Sequence, residues 1–210
     1  MRVSAILLAA GRSTRMGSAK QLLKIGGKTL LEIVLDTLRA TQVDEIIVVL
    51  GGSAEAIQEQ VPLHNFRVVI NELYQQGMAT SLQAGVSAVD PASDAALIVL
   101  ADQPFLRPDT IARLIDEYCA LKPVAVVPMY DGVRGNPILL DRSLFPEIME
   151  LIGDAGCRSI LSKHSENILK IPVEDIGILL DVDTQADLER FQGTLGPELL
   201  NVADVADRRQ

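Results

Sequence analysis

Tryptophan is absent from the 210 residues and aromatic side chains make up only 3% of them, so any core must be assembled from Val, Ile, Leu and Ala. Such a core favours helices packed on a sheet, and this length suits one domain with a sizeable interior. That domain is expected over residues 1–195, with a loosely held tail over 196–210. Only two cysteines occur, Cys119 and Cys157, and neither belongs to a C-x-x-C pair. A zinc site or disulfide framework is therefore not expected, and the thiols read as buried or half-buried groups in a reducing compartment. Histidine is equally scarce: His64 and His164 stand outside any motif, which leaves chemistry that needs an imidazole base without a candidate. No window reaches the ~18 apolar residues of a membrane span. The short apolar run in MRVSAILLAAG leads straight into a charged loop rather than a cleavage site, so a cytoplasmic protein without membrane contact is expected.

One further absence is local. No Asp or Glu precedes Glu32, whereas Arg2, Arg12, Arg15, Lys20, Lys24 and Lys28 all do, in a chain whose net charge is −9. The acidic total argues against nucleic-acid binding, which rewards a basic face. A cationic end on an acidic protein suits a compact, highly charged anion.

What is present is a rhythm. Short β-branched runs recur at 3–9, 45–50, 67–71, 96–101, 124–129, 136–140 and 168–173, several of them continuous rather than alternating, as in strands buried on both faces of a parallel sheet. Between them, Leu30, Leu31, Val34, Leu35 and Leu38 form one stripe at helical spacing, and Ile111, Leu114, Ile115 and Tyr118, opened by Pro108, form another. The alternation predicts an α/β fold, a three-layer α/β/α sandwich with a Rossmann-like, mixed but mostly parallel sheet. The segment YDGVRG between two late strand-like runs predicts a hairpin or an excursion from that sheet.

The first loop, LAAGRSTRMGSAK at 8–20, leaves the first strand where α/β sheets bind ligands. Its glycines fit neither Walker A nor G-x-G-x-x-G. It offers instead a glycine-rich backbone of successive N–H groups, Arg15 for planar phosphate recognition and Lys20 as a point charge. ALIVLADQP places Asp102 just past a buried strand, facing the same crevice, and ILLDVDTQADL offers Asp181 and Asp183 past another strand-like run. Hard cations such as Mg²⁺ take one or two such carboxylates with phosphate oxygens and water. Thr184 with Asp187 reads as a capping box, so Asp187 belongs to a helix start, and Asp183 reads either as a ligand or as a residue flanking that cap.

The stretch LAAGRSTRMGSAKQLLKIGGKTLL, with NELYQQGMATSLQAG, LADQPFL, GVRGNPILL, GDAGCR and DVDTQADL, resembles the nucleotidyltransferases of the nucleotide-diphospho-sugar transferase fold, and more narrowly the molybdenum cofactor cytidylyltransferase group, related to molybdopterin guanylyltransferase. The resemblance runs to about Phe191. It implies transfer of CMP from CTP to the terminal phosphate of a molybdopterin-type cofactor with release of pyrophosphate, and a molybdoenzyme as recipient of the product. By that resemblance Leu8, Ala9, Ala10, Gly11, Arg15 and Lys20 hold the nucleotide with Asn71, Gly77 and Ser81 beside base and ribose. Asp102 and Asp183 would hold Mg²⁺, with Arg15, Lys20 and Asp102 as catalytic residues. Arg134, Asn136, Asp154 and Arg158 would line the acceptor side, where Asp154 also reads as the cap of the helix that carries Arg158. A phosphate nucleophile is already ionised at neutral pH, which matches the shortage of histidine. Ala10 adds a methyl group that narrows the pocket towards a pyrimidine. GTP, a sugar or alcohol phosphate as acceptor, and a non-catalytic cofactor-binding chaperone are the alternatives.

Overall fold

Val3–Ala9 (β1) is buried along nearly its whole length, so it needs strands on both sides and a layer on each face. The computed structural model, which describes residues 1–11, 19–183, 186, 187 and 190, supplies both. In chain order the elements after β1 are β2 (Lys24–Ile25), β3 (Lys28–Thr29), α1 (Leu30–Arg39), β4 (Glu45–Leu50), α2 (Ala54–Gln60), β5 (Arg67–Ile70), α3 (Met78–Ser87), β6 (Ala95–Leu100), α4 (Pro108–Leu121), β7 (Ala125–Tyr130), β8 (Val133–Arg134), β9 (Ile138–Asp141), α5 (Phe145–Met149), α6 (Cys157–Lys163) and β10 (Ile168–Pro172). The main sheet runs β10-β7-β9-β6-β1-β4-β5, with β8 on β7 and β2-β3 as a separate ribbon. β1 lies parallel between β4 and β6, β5 is parallel to β4 and β10 to β7, while β9 runs antiparallel to β6 and β7.

Alternation along β1 sorts the core. Val3, Ala5, Leu7 and Ala9 face a cluster with Leu31, Val34, Leu35 and Leu38 of α1, Ile57 of α2 and Ile111, Leu114 and Tyr118 of α4. Ile6 and Ala10 face the opposite cluster, with Leu82 of α3, Phe145 and Ile148 of α5 and Ile160 of α6. These are the two outer layers of the expected sandwich, and each fully buried Leu or Ile adds roughly 1.5–3 kcal/mol of transfer free energy. α3 approaches β1 closely because Gly85 has no Cβ; one placed there would lie 2.4 Å from Ile6 Cγ2.

Of two late expectations, the hairpin is present and the strand before Asp181 is not. β7 turns into β8 through Asp131 (φ 47°) and Gly132 (φ 78°), two positive-φ residues of the kind that match hairpin twist. The run expected as a strand before Asp181 is instead a 3-10 turn, Ile176–Leu179, because buried Asp175 caps it by accepting from the Gly177 amide. Gly177 sits so close to Phe105 O that a Cβ would come within 2.1 Å. The expected tail lies outside the described residues, and among those described no helix is long and apolar enough to cross a membrane.

Candidate active site

All strands but β8 and β9 point their carboxyl ends to one edge of the sheet, the crevice side of an open α/β fold. Gly11 follows β1 there, Asn71 follows β5 and Asp102 follows β6. Ala101 N donates to Leu8 O (3.1 Å), binding the exit of β6 to that of β1. The chain then returns: Val182 N donates to Asp102 O at 2.9 Å, setting Asp183 beside Asp102.

Lys20 closes this corner. It begins a single 3-10 turn, Lys20–Leu22, tied to β1 by Gln21 Nε2, which donates to Ala9 O at 2.7 Å. Lys20 Nζ donates to Asp102 Oδ2 at 2.9 Å and to Asp183 Oδ1 at 2.5 Å. Burial alone would lower the Lys20 pKa, but Asp102 and then Asp183 outweigh it and hold the ammonium above its ordinary value. Asp102 Oδ1 is buried with no hydrogen-bond partner. Two hard oxygen donors, one with an unused oxygen, fit Mg²⁺ or Mn²⁺ arriving with a nucleotide that completes the shell. Among the described residues no group of three or more His, Cys, Asp or Glu could cage an ion without it. Asp102 and Asp183 would hold such an ion.

Two adjoining cavities open beside the corner. The first, about 400 Å³, is walled by Leu8, Ala10, Gly11, Tyr74, Gly77 and Ser81, with Asp102 at its edge. Gly77 has φ +114°, and a Cβ on it would lie 2.3 Å from Gly153 C and O, so only glycine fits this close approach. Tyr74 lies against Gly51 and Gly52, where a Cβ on Gly52 would meet its hydroxyl at 2.4 Å. The second cavity, about 650 Å³, shares Leu8, Met78, Leu100 and Asp154 with the first. Arg134, Arg158 and Lys170 line it over an apolar floor that includes Leu82, Ile98 and Cys157. Burial pushes the Cys157 thiol up to about 12, so it stays neutral. Among the described residues, neither Arg158 nor Lys170 has an ion-pair partner.

Lys20, Asp102 and Asp183 thus meet, and Leu8, Ala10, Gly11, Gly77 and Ser81 wall one cavity, while Arg134, Asn136, Asp154 and Arg158 reach the other. Arg15 lies outside the described residues. Ala9 turns its side chain into the core and lends its carbonyl to Gln21. Asn71 does not wall the first cavity: its Nδ2 donates to Thr80 Oγ1 (2.9 Å) and Ser81 Oγ (3.0 Å), so it orients Ser81 from behind. Asp154 does not cap α6, whose first flanking residue is Gly156 with no side-chain cap, and it faces both cavities instead. Asp187 accepts the Asp183 amide at 3.1 Å, a capping contact made one residue earlier than expected. Sequence reasoning missed Lys170, although a lysine interrupting the apolar run of β10 is a visible anomaly. It also missed Tyr74, Gln21 and Gln103, whose Nε2 donates to Asp181 Oδ1 at 2.6 Å, and for which the sequence carries no distinctive spacing.

A family profile described as "MobA-like NTP transferase domain" matches residues 5–168. The chain is 32% identical over 201 residues to nicotine blue oxidoreductase of Paenarthrobacter nicotinovorans, covering 90% of this chain and 96% of that one. It is 27% identical over 187 residues to the molybdenum cofactor cytidylyltransferase of Escherichia coli K12, covering 88% and 93%. The crystal structure of Rv0371c from Mycobacterium tuberculosis superposes with a TM-score of 0.83 at 33% identity over 92% of this chain and 98% of that one. Its complex with manganese gives 0.81 at 31% identity, covering 93% and 100%.

Proposed function

The chain belongs to the MobA-like NTP transferase domain family and is a nucleotidyltransferase, and from that premise we propose that it moves CMP from CTP onto the terminal phosphate of a molybdopterin-type cofactor, releasing pyrophosphate with Mg²⁺. The observation that carries the reading is the paired carboxylates, Asp102 and Asp183, at the edge of one cavity that adjoins a second, cation-lined one. Gly11, Ser81 and Gly77 line the space for the nucleotide, and Ala10 narrows it on the side of the base. Arg15 and Lys20 offset charge on the departing pyrophosphate, and Arg134 and Arg158 orient the acceptor phosphate for attack at the α-phosphorus. Mg²⁺, when bound, would neutralise charge shared by the α-phosphate and the incoming phosphate. No proton has to be taken from the nucleophile, so positioning and electrostatics supply the rate. The relative named as a molybdenum cofactor cytidylyltransferase, aligned over most of both chains, supports the choice of acceptor.

The test is pyrophosphate release with each of the four NTPs, with and without molybdenum cofactor. Release with CTP that rises when cofactor is added is expected; no cofactor-dependent rise with any base would overturn the proposal. A second reading, an oxidoreductase, is favoured by the relative that carries that name over 96% of its length. It predicts a redox change of nicotine blue in the presence of an added electron donor or acceptor, without pyrophosphate release, so the two assays separate the readings.

A further inference from the structure

The corner that would hold the metal already holds a cation. Lys20 Nζ sits 2.9 Å from Asp102 Oδ2 and 2.5 Å from Asp183 Oδ1, with only 18% of its side chain exposed. The main chain forces the two carboxylates together through the bond from Val182 N to Asp102 O, and Val182 itself is buried against Ile25 and Leu30. Left alone, such a pair repels, and the ammonium offsets that repulsion. Lysine suits the part: its charge ends a flexible four-carbon stem that can swing without moving backbone, unlike the planar fork of arginine. Among the described residues, a Cβ on Gly11 would meet nothing within 4 Å.

Resting on the metal-nucleotide reading above, we infer that Lys20 is an internal counter-ion that competes with the divalent metal for Asp102 and Asp183 and couples metal binding to nucleotide binding. While no nucleotide is bound, the ammonium occupies the carboxylates and keeps free metal weakly bound. An arriving polyphosphate offers Lys20 another anionic partner, which releases both carboxylates to the ion that travels with the nucleotide. Each ligand then tightens the other by the same factor, as linkage requires. The device also prevents a bare metal ion from trapping the site ahead of substrate.

The experiment is a titration of Mn²⁺ followed by water-proton relaxation, on wild type and Lys20→Met, each with and without a non-hydrolysable CTP analogue. Wild type is expected to bind Mn²⁺ weakly alone and at least tenfold more tightly with the analogue. Lys20→Met is expected to bind Mn²⁺ alone at least tenfold more tightly than wild type and to lose the coupling. A residue that merely held the fold would, when replaced, weaken the binding of free Mn²⁺ instead of tightening it. Asp183→Asn is the second variant: with one carboxylate gone, Lys20 is freer, and the analogue should bind more tightly than to wild type in EDTA. The inference falls if Lys20→Met binds free Mn²⁺ no better than wild type, or if Lys20→Met does not fold and Asp183→Asn leaves metal-free binding unchanged. If wild type binds no analogue, with metal present or absent, the function proposed above falls with it; if it binds the analogue and turns over CTP while Lys20→Met fails to gain Mn²⁺, the inference alone falls.

Discussion

The two adjoining cavities solve opposite electrostatic problems. At the Lys20 corner every strong charge has a partner within the chain: one ammonium lies between two carboxylates, and Gln103 Nε2 holds the neighbouring Asp181 at 2.6 Å. In the second cavity Arg158 and Lys170 have no ion-pair partner among the described residues, although the chain as a whole carries nine more acidic than basic groups. A corner whose charges are already paired is set to exchange partners, whereas cations without an ion-pair partner are set to receive an anion they do not already own. The first arrangement suits a metal-bound polyphosphate that must enter and leave, the second an acceptor that is selected by charge.

Asp102→Asn should break the corner most severely. It keeps the shape and removes the charge that pairs with Lys20, so kcat for CTP should fall by roughly 10²–10³, the worth of one preorganised electrostatic contact. Steady-state kinetics checks this, with thermal melting to confirm that the fold survives. A rise in KM alone, with kcat intact, would place Asp102 outside the reacting centre.

Gly77→Ala attacks the wall between the cavities. Ala is strained at φ +114°, and its methyl group would overlap Gly153, so a stability loss on the order of 2 kcal/mol or more is expected by chemical denaturation. Because Ala79 N donates to Gly153 O at 3.0 Å beside this contact, both CTP and acceptor should bind worse. A change confined to one substrate would show that the wall serves a single cavity.

Arg158→Gln and Lys170→Gln sharpen the contrast from the other side. Each removes a charge-assisted contact worth about 1.5–3 kcal/mol when made, so the acceptor KM should rise by roughly tenfold or more while the CTP KM stays within about twofold. If the CTP KM moves instead, the cationic cavity serves the nucleotide and the acceptor enters elsewhere.

The sequence makes the corner legible and the second cavity much less so, for a physical reason. Asp102 lies two residues past β6 and Lys20 in the segment that follows β1, so strand order and the carboxyl-edge rule bring them to one place before any side chain is seen. The layers were equally readable, since helical stripes and continuous strands carry their own period. Asp183 arrives by a different route: a 3-10 turn pinned by Asp175 and a single bond to Asp102 O, neither of which leaves a periodic trace. Asn71 shows the other limit, because residue type and position cannot say that its amide is spent on Thr80 and Ser81 behind the wall. Lys170 comes from β10, paired to β7 far along the chain, and only topology puts it beside Arg134 and Arg158.

The smallest effect tests the scaffold behind the corner. Thr29 and Glu32 form a capping box at the start of α1: Glu32 N donates to Thr29 Oγ1 at 3.2 Å, and Glu32 Oε2 accepts the Thr29 amide at 2.8 Å. The amide bond, then the hydroxyl bond, hold the Glu32 carboxyl below its ordinary pKa of 4.5. Thr29→Ala should cost about 1 kcal/mol at pH 7, a drop of roughly 2–4 °C in Tm for a chain of this size. A depressed carboxylate pKa contributes stability that is full above its unfolded value and disappears as pH falls through the folded one. The gap between wild type and Thr29→Ala should therefore hold from pH 7 down to about pH 5 and narrow below 4.5, without closing, because Thr29 Oγ1 accepts from the Glu32 amide at any pH. Leu30, the first residue of α1, packs on Val182 next to Asp183, so the same variant asks whether slackening this support reaches the metal corner. If kcat falls along with Tm, the charge-paired corner depends on the helix behind it; if Tm alone moves, the bond from Val182 N to Asp102 O is sufficient to hold the two carboxylates together.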